Sequence, residues 1–130
     1  MRRGAFLFLA LFIFCSFIRG SNTDSAVTID DLKPGWITKE KILAAKEVRL
    51  KYAGDYKMDF YNFAIKPDKE TKEYRSYIEI CKGNQISSYT KKRLEKLQQG
   101  DMIVIGSVVL KNSEGNSVNI TGCVYNINLK

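Results

Sequence analysis

Apolar positions along this chain fall into three regimes. Between residues 5 and 18 they run almost continuously, interrupted only by Ser16. From 21 to 35, SNTDSAVTIDDLKPG, they are sparse and show no period. From Trp36 onward they become periodic. Thr38 stands where a helix cap belongs, and Ile42, Leu43 and Ala45 predict the buried side of a short helix ending near Lys46. The period then changes to two. Val48, Leu50 and Tyr52 alternate with Arg49 and Lys51, and beyond the Gly54-Asp55 turn Tyr56, Met58 and Phe60 alternate with Lys57, Asp59 and Tyr61. Ser76, Ile78 and Ile80 point one way while Arg75, Tyr77, Glu79 and Cys81 point the other. These patterns predict strands over 46–53, 56–66 and 73–82.

A second helix is predicted over 89–99. Ser88 or Thr90 caps it, Leu94 and Leu97 share one face, and Gly100 sits at its left-handed C-terminal stop. Its Lys91, Lys92, Arg93 and Lys96 read as a solvated face. Residues 102–111 are nearly all apolar, which predicts a strand covered on both sides, bent at Gly106. A turn over 112–116 leads to a last strand, 117–129. Its inward set begins as Val118 and Ile120 and continues after Gly122 as Cys123, Tyr125, Ile127 and Leu129, the phase shift of a bulge. The runner-up arrangement is a two-layer α+β sheet in which 38–53 is entirely helical.

The first regime reads as an address. Arg2 and Arg3 precede an apolar run too short for the roughly 20 residues that span a bilayer, and small residues follow at Gly20 and Ser21. The expectation is a signal peptide over 1–20, a flexible arm over 21–37 and one domain over 38–130, in a protein that is secreted or periplasmic with no stable membrane span after cleavage. Removing Arg2, Arg3 and Arg19 from the 21 basic residues leaves 18 against 14 acidic ones, so the net charge of +7 falls to +4. That balance permits an anionic partner without requiring one. Export leaves Cys81 and Cys123 as an even pair in an oxidising compartment, and the expectation is one structural disulfide.

The chain contains no histidine, which excludes Ser-His-Asp and Cys-His catalysis and every His-ligated metal. There is no Gly-rich phosphate loop and no CxxC. Asp55 and Asp101 read as turn residues and Glu79 as the outer face of a strand, so no carboxylate cluster stands out for a metal-assisted hydrolase. The expectation is a protein that is not an enzyme, with no catalytic residue, no metal and no cofactor.

Five strands with one helix between the third and fourth is the order of the OB fold. The stretch from Leu94 and Leu97 through Gly100-Asp101 and Met102–Ile105 to Gly106 and Val108 resembles the passage from helix to fourth strand in many OB domains. It is similar to the exported tRNA-anticodon-binding-like OB families of small bacterial proteins. The resemblance implies a mainly β (α+β) domain: a five-stranded OB-like barrel with one helix between strands three and four, preceded by a short N-terminal helix. It also implies a binding face on the second and third strands, where tyrosines and phenylalanines are mixed with lysines and arginine. Strand parity there selects Tyr61, Phe63, Arg75 and Tyr77 as the exposed, ligand-binding set. In such a barrel the third and fifth strands are neighbours, which would bring Cys81 towards Cys123. The function expected is a small exported binding module whose barrel face contacts a protein, glycan or envelope component. The alternative is a single-stranded nucleic-acid-binding protein, and a metal-assisted hydrolase comes third.

Overall fold

The computed structural model describes residues 26–51 and 54–130. The signal-peptide expectation therefore lies outside the described residues, as does the start of the predicted arm. The rest of that arm is built into the fold. It supplies β1 (Val27–Ile29) and β2 (Gly35–Thr38), with Val27, Ile29 and Ile37 buried. Short apolar triplets inside a polar stretch gave no detectable period, yet each has a ladder to join. β1 pairs antiparallel with β3 (Val48–Leu50), making a two-stranded sheet. β2 pairs parallel with β8 (Cys123–Asn128).

The main sheet runs β2-β8-β6-β4-β5, where β4 is Lys57–Lys66, β5 is Tyr77–Lys82 and β6 is Met102–Lys111. β7 (Ser117–Ile120) continues the β8 side against the other half of β6. The architecture is mainly β with two helices, α1 (Lys39–Leu43) and α2 (Ser88–Leu94). The wholly helical runner-up for 38–53 is excluded by β3. The expected closed five-stranded barrel is also not made by the described strands, which form an open sheet ending at β2 and β5. The third predicted strand, β5, and the fifth, β7 with β8, are separated by β4 and β6 and are not neighbours.

This order removes the expected disulfide. Cys81 pairs with Tyr61 across β5 and β4, and Cys123 pairs with Ile105 across β8 and β6. Three inter-strand spacings, roughly 14 Å along the sheet, lie between the two cysteines, against the ~7 Å limit for a bridge. Both are buried free thiols.

The helices cap as their sequences demand. Thr38 Oγ1 accepts from the Lys41 amide, and Ser87, rather than the predicted Ser88 or Thr90, caps α2 by accepting from the Thr90 amide. Ile42 and Ala45 are buried as expected, whereas Leu43 faces solvent. Lys39 Nζ donates to the carbonyls of Glu95 and Leu97, a cation on the exposed carbonyls just past α2. Leu94 and Leu97 fill the core, and Gly100 takes the left-handed conformation at φ 87°.

Next to Gly100, Asp101 is only 1% exposed. It accepts from the amides of Asp68 (2.9 Å) and Gln98 (2.8 Å) and from the Tyr74 hydroxyl. A carboxylate taken out of water must be hydrogen-bonded, and here three donors hold it. It ties the loop after β4, the segment before β5 and the exit of α2 into one corner.

β6 shows an alternating burial pattern, so it is covered on one face only, contrary to the expectation of two. Its kink comes at Ser107, with φ 47°, beside Gly106. Core-facing positions go from Ile105 to Val108 in β6 and from the partly buried Ile120 to Cys123 in its partner, so both strands change phase together. Gly122 is at this break, and a Cβ there would stand 1.7 Å from the Ile105 carbonyl oxygen. The two chains approach so closely that only glycine fits. The predicted bulge in the last strand is thus a paired kink.

Tyr125 joins the small sheet to the large one. Its buried ring carries a hydroxyl that accepts from the Ile29 amide (2.9 Å) and donates to the Leu32 carbonyl (2.6 Å). Through it the β1 segment lies over the inner face of the main sheet, with Val27, Ile29, Val48, Tyr61, Phe63, Ile103, Ile105 and Ile127 forming the core.

Candidate binding face

The inner face of the sheet carries the core, so the outer face is the side open to solvent. Register defines its members. β5 contributes Ile78, Ile80 and Lys82, opposite Ala64, Asn62 and Phe60 of β4. Lys66 and Phe60 of β4 then oppose Met102 and Val109 of β6, and Val104 opposes Val124 of β8. Trp36 on β2 pairs with Asn126. Ile78 is 67% exposed, Ile80 66% and Trp36 66%. The cations at these outward positions are Lys57, Lys66, Lys82 and Lys111, and one acid, Asp59, stands at the β4 bulge beside Phe60.

The sequence-predicted set is not on this face. Tyr61 and Phe63 are fully buried on the inner side. The parity reading failed at a bulge: the β4–β6 register shifts between Met58 and Phe60, so Met58 and Tyr61, three apart, both face inward. Tyr61 spends its hydroxyl on the Gln85 carbonyl at 2.7 Å, and burial raises its pKa. Asn62 carried the signal that would have found this, since a polar residue between two rings marks the outward position.

Arg75 is exposed, but it lies before β5, and its carbonyl accepts from Arg93. Tyr77 is half-buried on the inner side and donates to Glu79 Oε1 at 2.6 Å. Ser87 and Thr90 donate to the same oxygen at 2.7 and 2.8 Å. Burial pushes the Glu79 carboxyl up and these three hydroxyls pull it down, with a net displacement below its ordinary value. The Arg93 guanidinium sits 4.5 Å from the Tyr74 ring centre and 5.7 Å from that of Tyr77. Arg75 and Tyr77 thus belong to the anchoring of α2 rather than to one surface with Tyr61 and Phe63.

The carboxylates weighed for metal chemistry are dispersed. Glu79 and Asp101 sit in separate hydrogen-bond networks, and Asp55 accepts from Ser113 at 3.0 Å. Among the described residues no three His, Cys, Asp or Glu side chains gather at one point. Cys123 is a poor nucleophile, because burial pushes its thiol up to about 12. No helix among the described residues is long and apolar enough to cross a membrane. No protein-family model matches this chain, and a search of curated proteins finds no match.

Proposed function

We propose that this chain is a small exported binding module that engages a protein of its compartment through the outer face of its sheet. One observation carries the reading: Ile78 and Ile80 stand two-thirds exposed, side by side along an edge strand. Burying an isoleucine side chain contributes about 1.5–3 kcal/mol, so leaving both in water forgoes on the order of 3 kcal/mol. A contiguous apolar surface of this kind marks an interaction site. Phe60, Val109, Val104 and Val124 extend it, and the lysines around it suit a partner with an acidic rim. What the OB resemblance lends to the reading is the use of a sheet face for binding.

Branched aliphatics suit a protein partner better than a nucleic acid, which stacks its bases on successive rings. Tyr61 and Phe63, the rings the nucleic-acid alternative relied on, are interior. The test compares the tagged wild-type protein with an Ile78→Lys/Ile80→Lys variant, each recovered from its native compartment after crosslinking. A partner captured by the wild type and lost in a variant with unchanged circular dichroism supports the reading. Identical capture by both proteins overturns it. So does micromolar binding to single-stranded DNA that weakens steeply with salt and survives in the variant.

A further inference from the structure

At the β2 end of the same sheet, away from Ile78 and Ile80, a cleft of about 230 Å³ is lined by Leu32, Lys33, Trp36, Ile37, Thr38, Lys41 and Asn128. We propose that this cleft binds a single anionic pyranose ring of an acidic polysaccharide, stacked on the Trp36 indole.

The shape argues for one ring. The volume is below the roughly 300 Å³ at which pockets for larger ligands begin. Trp36 is the sole tryptophan of the chain and the only aromatic lining the cleft. A single exposed indole offers one flat, electron-rich face, and the C–H groups of a pyranose, slightly positive, lie well against it. A nucleic-acid strand would want a succession of rings, and the next ring on this face, Phe60, is three strands away.

The chemistry argues for an anion. The lining residues supply donors, Trp36 Nε1, Lys33 Nζ, Lys41 Nζ and Asn128 Nδ2, while the Asn128 Oδ1 acceptor is taken by the Lys130 amide at 3.2 Å. None of the four has a partner among the described residues. The hydroxyl of Thr38 accepts from the Lys41 amide, which leaves its proton free to donate outward. No carboxylate lines the cleft. Of the acids near it in sequence, Glu40 is exposed on α1 beside Lys41 and is not part of the cleft lining. Asp30 accepts from the amides of Lys46 and Glu47 at 3.1 Å, and Asp31 pairs with Arg49. Two lysines and an amide donor lining a cleft with an exposed indole answer a sugar that carries a carboxylate or a sulfate, through charge-assisted hydrogen bonds.

This site lies at the β2 end of the outer face, four strands from Ile78 and Ile80, and its test does not depend on those isoleucines. Because Trp36 is the sole tryptophan, emission excited selectively beyond the tyrosine absorption band reports on the cleft. Titration with oligogalacturonate, with a heparin oligosaccharide, with neutral dextran oligosaccharide and with oligo-dT compares carboxylated, sulfated and uncharged sugars with nucleic acid. The expected result is a saturable fluorescence change with one or both acidic sugars, and the stronger of the two identifies the anion. Lys33→Gln/Lys41→Gln weakens it about tenfold or more, as expected from losing hydrogen bonds to a charged group. Ile78→Lys/Ile80→Lys leaves it unchanged, so loss of protein capture and loss of sugar binding are read separately. Calorimetry on Trp36→Ala, an exposed position, supplies the second measurement, with binding abolished. No change with either acidic sugar, an equal response to dextran, or tighter binding of oligo-dT each overturns the proposal.

Discussion

Replacing Asp101 by alanine removes the buried acceptor at the corner where α2 passes into β6. The carboxylate accepts three hydrogen bonds, two from amides and one from Tyr74. Hydrogen bonds to a charged group are worth about 1.5–3 kcal/mol each. The sum is not all lost, because Asp68 and Gln98 are exposed residues whose amides regain water when the corner opens. The Tyr74 hydroxyl, on a buried ring, regains less. The expected cost is about 3 kcal/mol, a large part of the 5–15 kcal/mol typical of a domain. Equilibrium unfolding in urea, followed by far-ultraviolet circular dichroism, should show the midpoint falling by about 1–3 M at an unchanged slope. Asp101→Asn should lie between the two, since one oxygen still accepts while the new amide group confronts a donor. Tyr74→Phe should cost about 1 kcal/mol alone and much less in the Asp101→Ala background, because the two share one bond. An Asp101→Ala protein within 1 kcal/mol of wild type, or strict additivity with Tyr74→Phe, refutes the reasoning.

Three further expectations follow from the same structure. Gly122→Ala drives a Cβ into the Ile105 carbonyl, 1.7 Å away where ordinary contact begins at 3.4 Å, so the ladder between β6 and β8 must part. The loss should be about 3 kcal/mol, visible in a thermal melt, and an unchanged melting temperature would contradict the close approach. Glu79 has a depressed carboxyl pKa in the fold, so its contribution to stability is present above the ordinary value of 4.5 and disappears as pH falls through the lower folded value. Stability of the wild type should therefore drop more steeply than that of Glu79→Gln below pH 4.5, and parallel curves would remove the three-hydroxyl account. Cys81 and Cys123 should resist a thiol reagent at pH 8 in the native protein and react fully in denaturant. A mass two units lower that reverts with reductant would restore the disulfide.

Legibility followed the range of the forces involved. Features set by neighbouring residues could be read directly: the Thr38 cap, Leu94 and Leu97 on one face, the left-handed Gly100, the long strands β4 and β6 and the kink near Gly122. Those set by distant partners could not. Val27-Thr28-Ile29 is a strand because Leu50, Arg49 and Val48 are opposite it, and nothing within 21–37 announces that. Asp101 sits after a glycine where a turn residue is ordinary. Its burial depends on Asp68 and Tyr74, more than 25 residues away in sequence. The cysteines were assigned by compartment and count, whereas their separation is a matter of strand order, which no spacing encodes.

The outer face was misassigned for a related reason, and the error shows why the exposed isoleucines are informative. In β5 the alternation itself was read correctly. The question was which side faces in, and hydrophobicity alone would turn Ile78 and Ile80 inward. The structure does the reverse, because Glu79 is held on the inner side by Tyr77, Ser87 and Thr90, which fasten α2 to the sheet. With a period of two, an inward Glu79 obliges its neighbours to face out. That explains the direction of positions 78 and 80 but not their identity. Threonine has comparable strand propensity and would keep β5 intact while leaving less apolar surface in water. A lysine would further protect an edge strand from unwanted pairing, as Lys82 does at the end of this one. Isoleucine at both positions serves neither the core, which it does not touch, nor the strand, which does not need it. On the proposed reading, it serves contact with another molecule along the β5 edge.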